Sequence, residues 1–142
     1  MDTAGILESK GGGVVTATAE KSLLHIAGLL AQNRIGCIVI VEGEKVCGIV
    51  SEHDLIRAVG QDGPKALSKP VSNFMTTSVV TAGKADTSDW LLSKMTTRQF
   101  RHVPVVEKGR LIGIVSIGDL VKLHVTEAES ESAAMQKHIS SA

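Results

Sequence analysis

The chain repeats itself. Sliding it against itself by 65 residues, without a gap, lays Val14-Val15-Thr16-Ala17 on Val79-Val80-Thr81-Ala82 and Gly48-Ile49-Val50-Ser51 on Gly113-Ile114-Val115-Ser116. Val41-Glu42 falls on Val106-Glu107 and Asp54-Leu55 on Asp119-Leu120, so 12 of the 45 positions from 14 to 58 are identical. Such a duplication constrains the fold more than any local signal, because a unit that cannot cover its own apolar face stacks on its copy. The expectation is two copies that share one core about a pseudo-twofold axis.

Periodicity changes in the same order in each copy. Residues 14–16 read as a short β-branched strand, and Ser22, a candidate N-cap, precedes Leu23, Ile26, Ala27 and Leu30 at helical spacing. A near-continuous apolar run over 35–41 suits a buried strand, Gly43 turns the chain, and 46–50 returns as the second strand of a hairpin. Leu55, Ile56 and Val59 then mark a helix beginning just after Ser51. The second copy predicts a strand over 79–81, a helix over Ser88–Arg98, strands over 101–106 and 111–116, and a helix from Ile117 onward. The unit is β-α-β-β-α twice, an α/β (α+β) fold. Its parts are a first repeat over 1–62 with an N-terminal helix, a linker over 63–70, and a second repeat over 71–125 that opens on a short helical turn at 71–75. A helical tail over 126–142 follows, which frays or docks on a partner chain.

Composition removes several functions. With 142 residues the chain can bury an ordinary core, and with 2 Phe, 1 Trp and no Tyr that core is aliphatic. A formal charge of zero and 2% aromatic content leave neither a basic footprint for phosphates nor flat side chains for bases, so nucleic acid is not expected as a ligand. Cys37 and Cys47 lack metal-site spacing, as do His25, His124 and His138, which read as surface residues. The first ten residues offer no apolar signal core, and the run over 37–41 is far short of a membrane span, so a cytoplasmic location is expected.

The sharpest local feature occurs twice: Gly-Ile-Val-Ser ends a strand, and an Asp stands three residues beyond the Ser. These are Ser51 with Asp54, and Ser116 with Asp119. One reading is a capping box, Ser and Asp satisfying amides at a helix start. The other is a ligand site, in which a helix N-terminus meets an anion and the carboxylate accepts from a ribose diol. On the second reading Gly48 and Gly113 let a ligand approach the backbone.

Arg101-His102-Val103-Pro104-Val105-Val106, followed by Gly109-Arg110-Leu111-Ile112-Gly113-Ile114-Val115-Ser116-Ile117-Gly118-Asp119-Leu120, resembles a cystathionine β-synthase (CBS) domain. Residues 35–41 and 48–55 of the first copy resemble its partner. The likeness covers roughly residues 1–125 and extends to small bacterial stand-alone CBS-pair proteins, some of which bind AMP or a nicotinamide dinucleotide. The resemblance implies a Bateman module with two clefts, each drawing on both copies. One would combine Ile114, Ser116 and Asp119 with Thr18, Ile35, Gly36 and Cys37. The other would combine Ile49, Ser51 and Asp54 with Gly83, Phe100, Arg101 and His102.

In each implied cleft the Asp would take the ribose hydroxyls, apolar groups and backbone would hold adenine, and basic groups would meet phosphate. Val39 stands where the second copy has Pro104, and His53 where related chains often carry Arg. Only the cleft of Arg101 and His102 has a strand-start phosphate partner, and binding there is expected to tighten as pH falls from about 8 to 6.

The function implied is a non-catalytic regulatory module that binds an adenine nucleotide, AMP or NAD(H), and signals to an unknown partner protein through a homodimer surface. Leu55, Ile56, Leu120 and Val121 would need cover in that dimer, while Trp90 and Met95 would face the core between copies. Alternatives are a ligand-free dimerisation scaffold and a redox-responsive module that uses Cys37 and Cys47. No P-loop, Ser/His/Asp order or paired catalytic carboxylates can be assembled, so neither an enzyme nor a catalytic cofactor is expected.

Overall fold

A computed structural model of the chain describes residues 1–11 and 13–140, with side chains described through Glu129. Helix α1 (Thr3–Lys10) comes first, capped by Asp2, whose carboxylate accepts from the Gly5 N–H at 2.9 Å. The first repeat is β1 (Thr16–Ala17), α2 (Leu23–Asn33), β2 (Cys37–Glu42), β3 (Lys45–Ser51) and α3 (Glu52–Asp62). Two 3-10 turns, Pro64–Ser68 and Val71–Asn73, lead to α4 (Ser88–Arg98), β4 (His102–Glu107), β5 (Arg110–Ser116) and α5 (Ile117–Ser140). The tail over 126–142 therefore continues α5 through residue 140, and residues 141 and 142 lie outside the described residues.

The duplication is visible in the hydrogen-bond ladders. In the first repeat β2 pairs antiparallel with β3, Cys37 opposite Ser51, with a register shift between Ile40 and Val41. In the second, β4 pairs with β5, His102 opposite Ser116, with the shift between Val105 and Val106. Strand β1 runs parallel to β2 with Ala17 opposite Ile40, and Ala82 bridges Val105 in the same sense. That lone bridge replaces the strand expected over 79–81, because Val79 and Val80 line a cavity instead of extending a ladder. Likewise Val14 and Val15 are half-buried but unladdered, so β1 begins at Thr16, not at 14.

Helix starts follow the sequence signals. Ser22 caps α2 by accepting from the His25 N–H at 3.1 Å, and Thr87 caps α4 through Trp90. Leu23, Ile26 and Leu30 form the buried stripe of α2. Burying each such aliphatic side chain contributes about 1.5–3 kcal/mol.

The buried residues form two clusters, one per repeat, and not the single shared core expected from the duplication. The first gathers Leu23, Ile26, Ile38, Ile40 and Val50, and is completed by Val71, Phe74 and Met75 from the opening turn of the second repeat. The second gathers Leu91, Met95, Val103, Val105 and Val115, and is completed by Ile6 and Leu7 from α1. Each repeat thus borrows the opening segment of the other, and α1, grouped by sequence with the first repeat, packs on β5 and α5 of the second. Trp90 and Met95 lie in that second cluster, not between the copies.

Leu55 packs within the first cluster and Leu120 is buried in the second, which leaves Ile56 and Val121, at 65% and 56% exposed, as the open apolar positions of that group. His25 and His124 are exposed as expected, and the side chain of His138 lies outside the described residues.

Candidate functional site

A cavity of about 600 Å³ opens between the repeats, within the range of small-molecule sites. The first repeat contributes Gly36 and Cys37 from the start of β2, Ile49 and Ser51 from β3, and Glu52, His53, Asp54 and Arg57 from α3. The second repeat supplies Thr76, Ser78, Val79 and Val80 as one wall, and Gln99, Phe100, Arg101, His102, Ser116, Ile117 and Gly118. Both helix N-termini, α3 and α5, therefore meet at this cavity, and the positive ends of their dipoles favour negative charge there.

The Ser-x-x-Asp pairs form capping boxes in both repeats. Asp54 Oδ2 accepts from the Ser51 N–H at 2.8 Å, and Ser51 Oγ accepts from the Asp54 N–H at 3.3 Å. Asp119 Oδ2 accepts from the Ser116 N–H at 2.8 Å, with the return bond at 3.1 Å. Capping and ligand binding are compatible, since the box engages one carboxylate oxygen. The other oxygen of Asp54, Oδ1, has Arg57 at 3.5 Å, where the cation is 65% exposed and screened by solvent.

Seven of the residues expected for the Asp54 cleft line this cavity: Ile49, Ser51, His53, Asp54, Phe100, Arg101 and His102. Gly83 does not; its N–H donates to Asp86 Oδ2 at 2.7 Å in a turn. Gly36, Cys37 and Ser116, expected in the other cleft, line the same cavity, because the starts of β2 and β4 face each other across it. A methyl on Gly36 would lie 3.5 Å from Glu52 Oε1 and 3.8 Å from His102 Cε1, which shows how near the two repeats come.

The remaining residues expected in the Asp119 cleft lie elsewhere. Thr18 hydrogen-bonds Glu20, and Ile35 packs against the first cluster. Ile114 borders a separate recess of about 90 Å³, lined also by Leu7, Lys10, Gly11, Gly13, Val14, Ile112 and Gly113, too small for a nucleotide. There Lys10 Nζ donates to Asp119 Oδ2 at 2.9 Å and to the Ile114 carbonyl at 2.7 Å. Burial disfavours the Asp119 carboxylate, yet the Ser116 amide and Lys10 hold its pKa below the ordinary value.

Gly48 and Gly113 admit the protein's own side chains, not a ligand as expected. A methyl at Gly48 would come 2.5 Å from the Met75 sulfur, and one at Gly113 2.6 Å from Leu7 Cδ2.

Two electrostatic expectations change. Burial and the Lys10 charge push the His102 pKa below its usual value, so its titration moves toward the acid side of the window expected from sequence. Burial pushes the Cys37 thiol up to about 12, with Asp54 adding to the effect. Cys37 sits opposite Ser51, and Cys47 is four residues back along β3, about 13 Å away at strand rise, beyond the span of a disulfide. A Cys37–Cys47 redox switch within one chain is thus excluded by register.

Sequence reasoning missed Arg57 and Lys10. Arg57 stands three residues after Asp54 on α3, on the same helical face, so its spacing carried the signal. Lys10 carried none, because its contact joins positions 109 residues apart. Among the described residues no cluster of three or more His, Cys, Asp or Glu could hold a metal, and no helix is long and apolar enough to cross a membrane.

Two α-β-β-α repeats, the first opened by a parallel strand and the second by a lone parallel bridge, enclose an inter-repeat cavity beside Ser-x-x-Asp capping boxes. The CBS-domain model matches residues 12–61 and 71–125, and the chain belongs to the CBS-domain family. CBS domain-containing protein YhcV of Bacillus subtilis is 30% identical over 123 residues, covering 84% of this chain and 83% of that one. The L-aspartate semialdehyde sulfurtransferase of Methanocaldococcus jannaschii is 31% identical over 111 residues, 77% of this chain but 21% of that enzyme.

Among solved structures, the CBS-domain containing protein ATU1752 of Agrobacterium tumefaciens superposes with a TM-score of 0.84 at 42% identity, covering 87% of this chain and 99% of that one. The CBS domain pair of protein MJ0100, in complex with 5′-methylthioadenosine and S-adenosyl-L-methionine, gives 0.80 at 27% identity, covering 89% and 98%. CBS domain protein PAE2072 of Pyrobaculum aerophilum, complexed with AMP, gives 0.76 at 29%, covering 84% and 89%.

Proposed function

We propose that the chain is a non-catalytic regulatory module that binds an adenine nucleotide of the AMP or NAD(H) class in the cavity beside Asp54 and signals through the surface of a homodimer. The observation that carries the reading is the composition of that cavity. A carboxylate with one oxygen left by its capping box stands in the same space as Arg57, Arg101, His53 and His102 and two helix N-termini. A ribose diol donates to Asp54, adenine lies against Ile49, Val79, Val80 and Phe100, and phosphate meets the cations. Support also comes from the adenosine compounds held by the related pairs of MJ0100 and PAE2072. Phosphate recognition by these cations favours AMP over S-adenosylmethionine, whose sulfonium is positive. The dimer part of the reading rests on exposed Ile56 of α3 and Val121 of α5.

The test is a thermal-shift series on the purified chain with AMP, ADP, ATP, NAD, NADH and S-adenosylmethionine, paired with sedimentation. Stabilisation that grows with AMP or NAD(H) concentration, on a dimer, supports the reading. No shift with any of them leaves the scaffold alternative, and a monomer at micromolar concentration removes the dimer surface.

A further inference from the structure

The two repeats differ at one pair of positions that their sequence register makes equivalent. At an offset of 65 residues Lys10 is the counterpart of Met75. Met75 covers Gly48 of the first repeat, and the Ile49 carbonyl beside it accepts from the Thr76 N–H at 2.9 Å. On the second repeat Leu7 covers Gly113, which leaves Lys10 to reach further. Its ammonium takes the Ile114 carbonyl and Asp119 Oδ2, the counterparts of the Ile49 carbonyl and Asp54 Oδ2. Helix α1 is anchored at its N-terminal end. Thr3 is fully buried and donates through Oγ1 to the Asp86 carbonyl at 2.7 Å, Ala4 N–H donates to Lys84 O at 3.1 Å, and Ile6 is buried in the second cluster.

We propose that Lys10 is the residue that limits the pair to one adenine nucleotide per chain, a tethered cation that neutralises the Asp119 carboxylate through the oxygen its capping box already uses and occupies the Ile114 carbonyl beside it. This rests on the reading that the Asp54 cavity is the nucleotide site. A second nucleotide has to displace an ion pair and a backbone hydrogen bond that the protein makes with itself, and to enter a space of about 90 Å³ instead of about 600 Å³. Gly11, at positive φ, and Gly13 have open space around them, which lets the C-terminal end of α1 move without straining β1 once the lysine contact is gone.

The experiment is calorimetric titration of the full chain with AMP, comparing the parent, Lys10→Met, which installs the first repeat's residue, Lys10→Ala, and Lys10→Met combined with Asp119→Asn. Unchanged thermal unfolding on α1 truncation of this side chain is checked first, and the two single variants guard against one failing to fold. The proposal expects one AMP per chain for the parent, two for both Lys10 variants, and one again once Asp119→Asn is added. Two sites in the parent, or one site in every variant, overturns the role of Lys10 while leaving the Asp54 reading in place. No binding to the parent, with one Asp119-dependent site in Lys10→Met, upholds Lys10 and overturns the Asp54 reading. No binding in any variant overturns both.

Discussion

Replacing Asp54 by Ala separates the two roles that its carboxylate can play. In the folded chain Asp54 Oδ2 accepts from the Ser51 N–H at 2.8 Å and the Ser51 hydroxyl at 3.1 Å, while Oδ1 has only the distant Arg57. Loss of the capping half of this arrangement costs about 1 kcal/mol of stability, the usual size for a helix cap. Loss of charge-assisted hydrogen bonds to ribose hydroxyls costs about 1.5–3 kcal/mol of binding. That is roughly a 10- to 150-fold rise in Kd. Urea unfolding gives the first quantity, and calorimetry with AMP the second. Asp119→Ala is the internal control, because it makes the same reciprocal amide bonds with its serine but its carboxylate already holds Lys10. The expected outcome is similar destabilisation in both variants, with lost affinity only in Asp54→Ala. If Asp54→Ala is destabilised but binds AMP within twofold of the parent, the Ser-x-x-Asp motif here is a cap and nothing more.

Because the His102 pKa is lowered in the folded chain, by burial first and then by Lys10, folding favours the neutral ring. Stability is therefore full above the unfolded histidine value and falls as pH drops below about 6.5 toward the folded pKa. AMP affinity should tighten over that same acidic window, and Arg101→Ala should weaken binding more than His102→Ala at pH 8, both readable by calorimetry; affinity flat with pH in the parent would show that His102 does not meet phosphate. Cys37, with its pKa near 12 and its buried position, should resist iodoacetamide in the native state while half-exposed Cys47 reacts, as peptide mass mapping would report; equal labelling would contradict the burial. Gly113→Ala forces a methyl into Leu7 and should cost about 1–3 kcal/mol in urea unfolding. The loss should be partly relieved when Leu7→Ala is added, and strict additivity would mean that the two do not touch.

Much of this was legible because the chain carries its pattern twice. The helix over Ser88–Arg98, the two hairpins and the helix starting at Ile117 follow from residues whose neighbours in sequence are also their neighbours in space. The capping boxes were legible for the same reason, since Ser51 and Asp54 are three residues apart. The short first strands were not, because a parallel edge is fixed by its partner: Ala82 needs Val105, and Val79 and Val80 satisfy the cavity wall instead. The exchange of leading segments was equally hidden. Ile6 and Leu7 look like any apolar pair, and only the long-range packing of α1 on β5 makes them part of the second core. Unequal clefts were legible from Arg101 and His102, which only one of them has, but the closing of the Asp119 side by Lys10 follows from that exchange and was not.

The measurement closest to the central claim is amide chemical-shift mapping of the labelled full chain during titration with AMP. The account predicts saturable shifts centred on Ser51, Asp54 and Arg57 of α3, on Thr76 to Val80, and on Phe100 to His102, with Lys10, Ile112 and Ile114 left unmoved. Shifts centred on Lys10 and Ile112 to Ile114, or none at millimolar AMP, would contradict it.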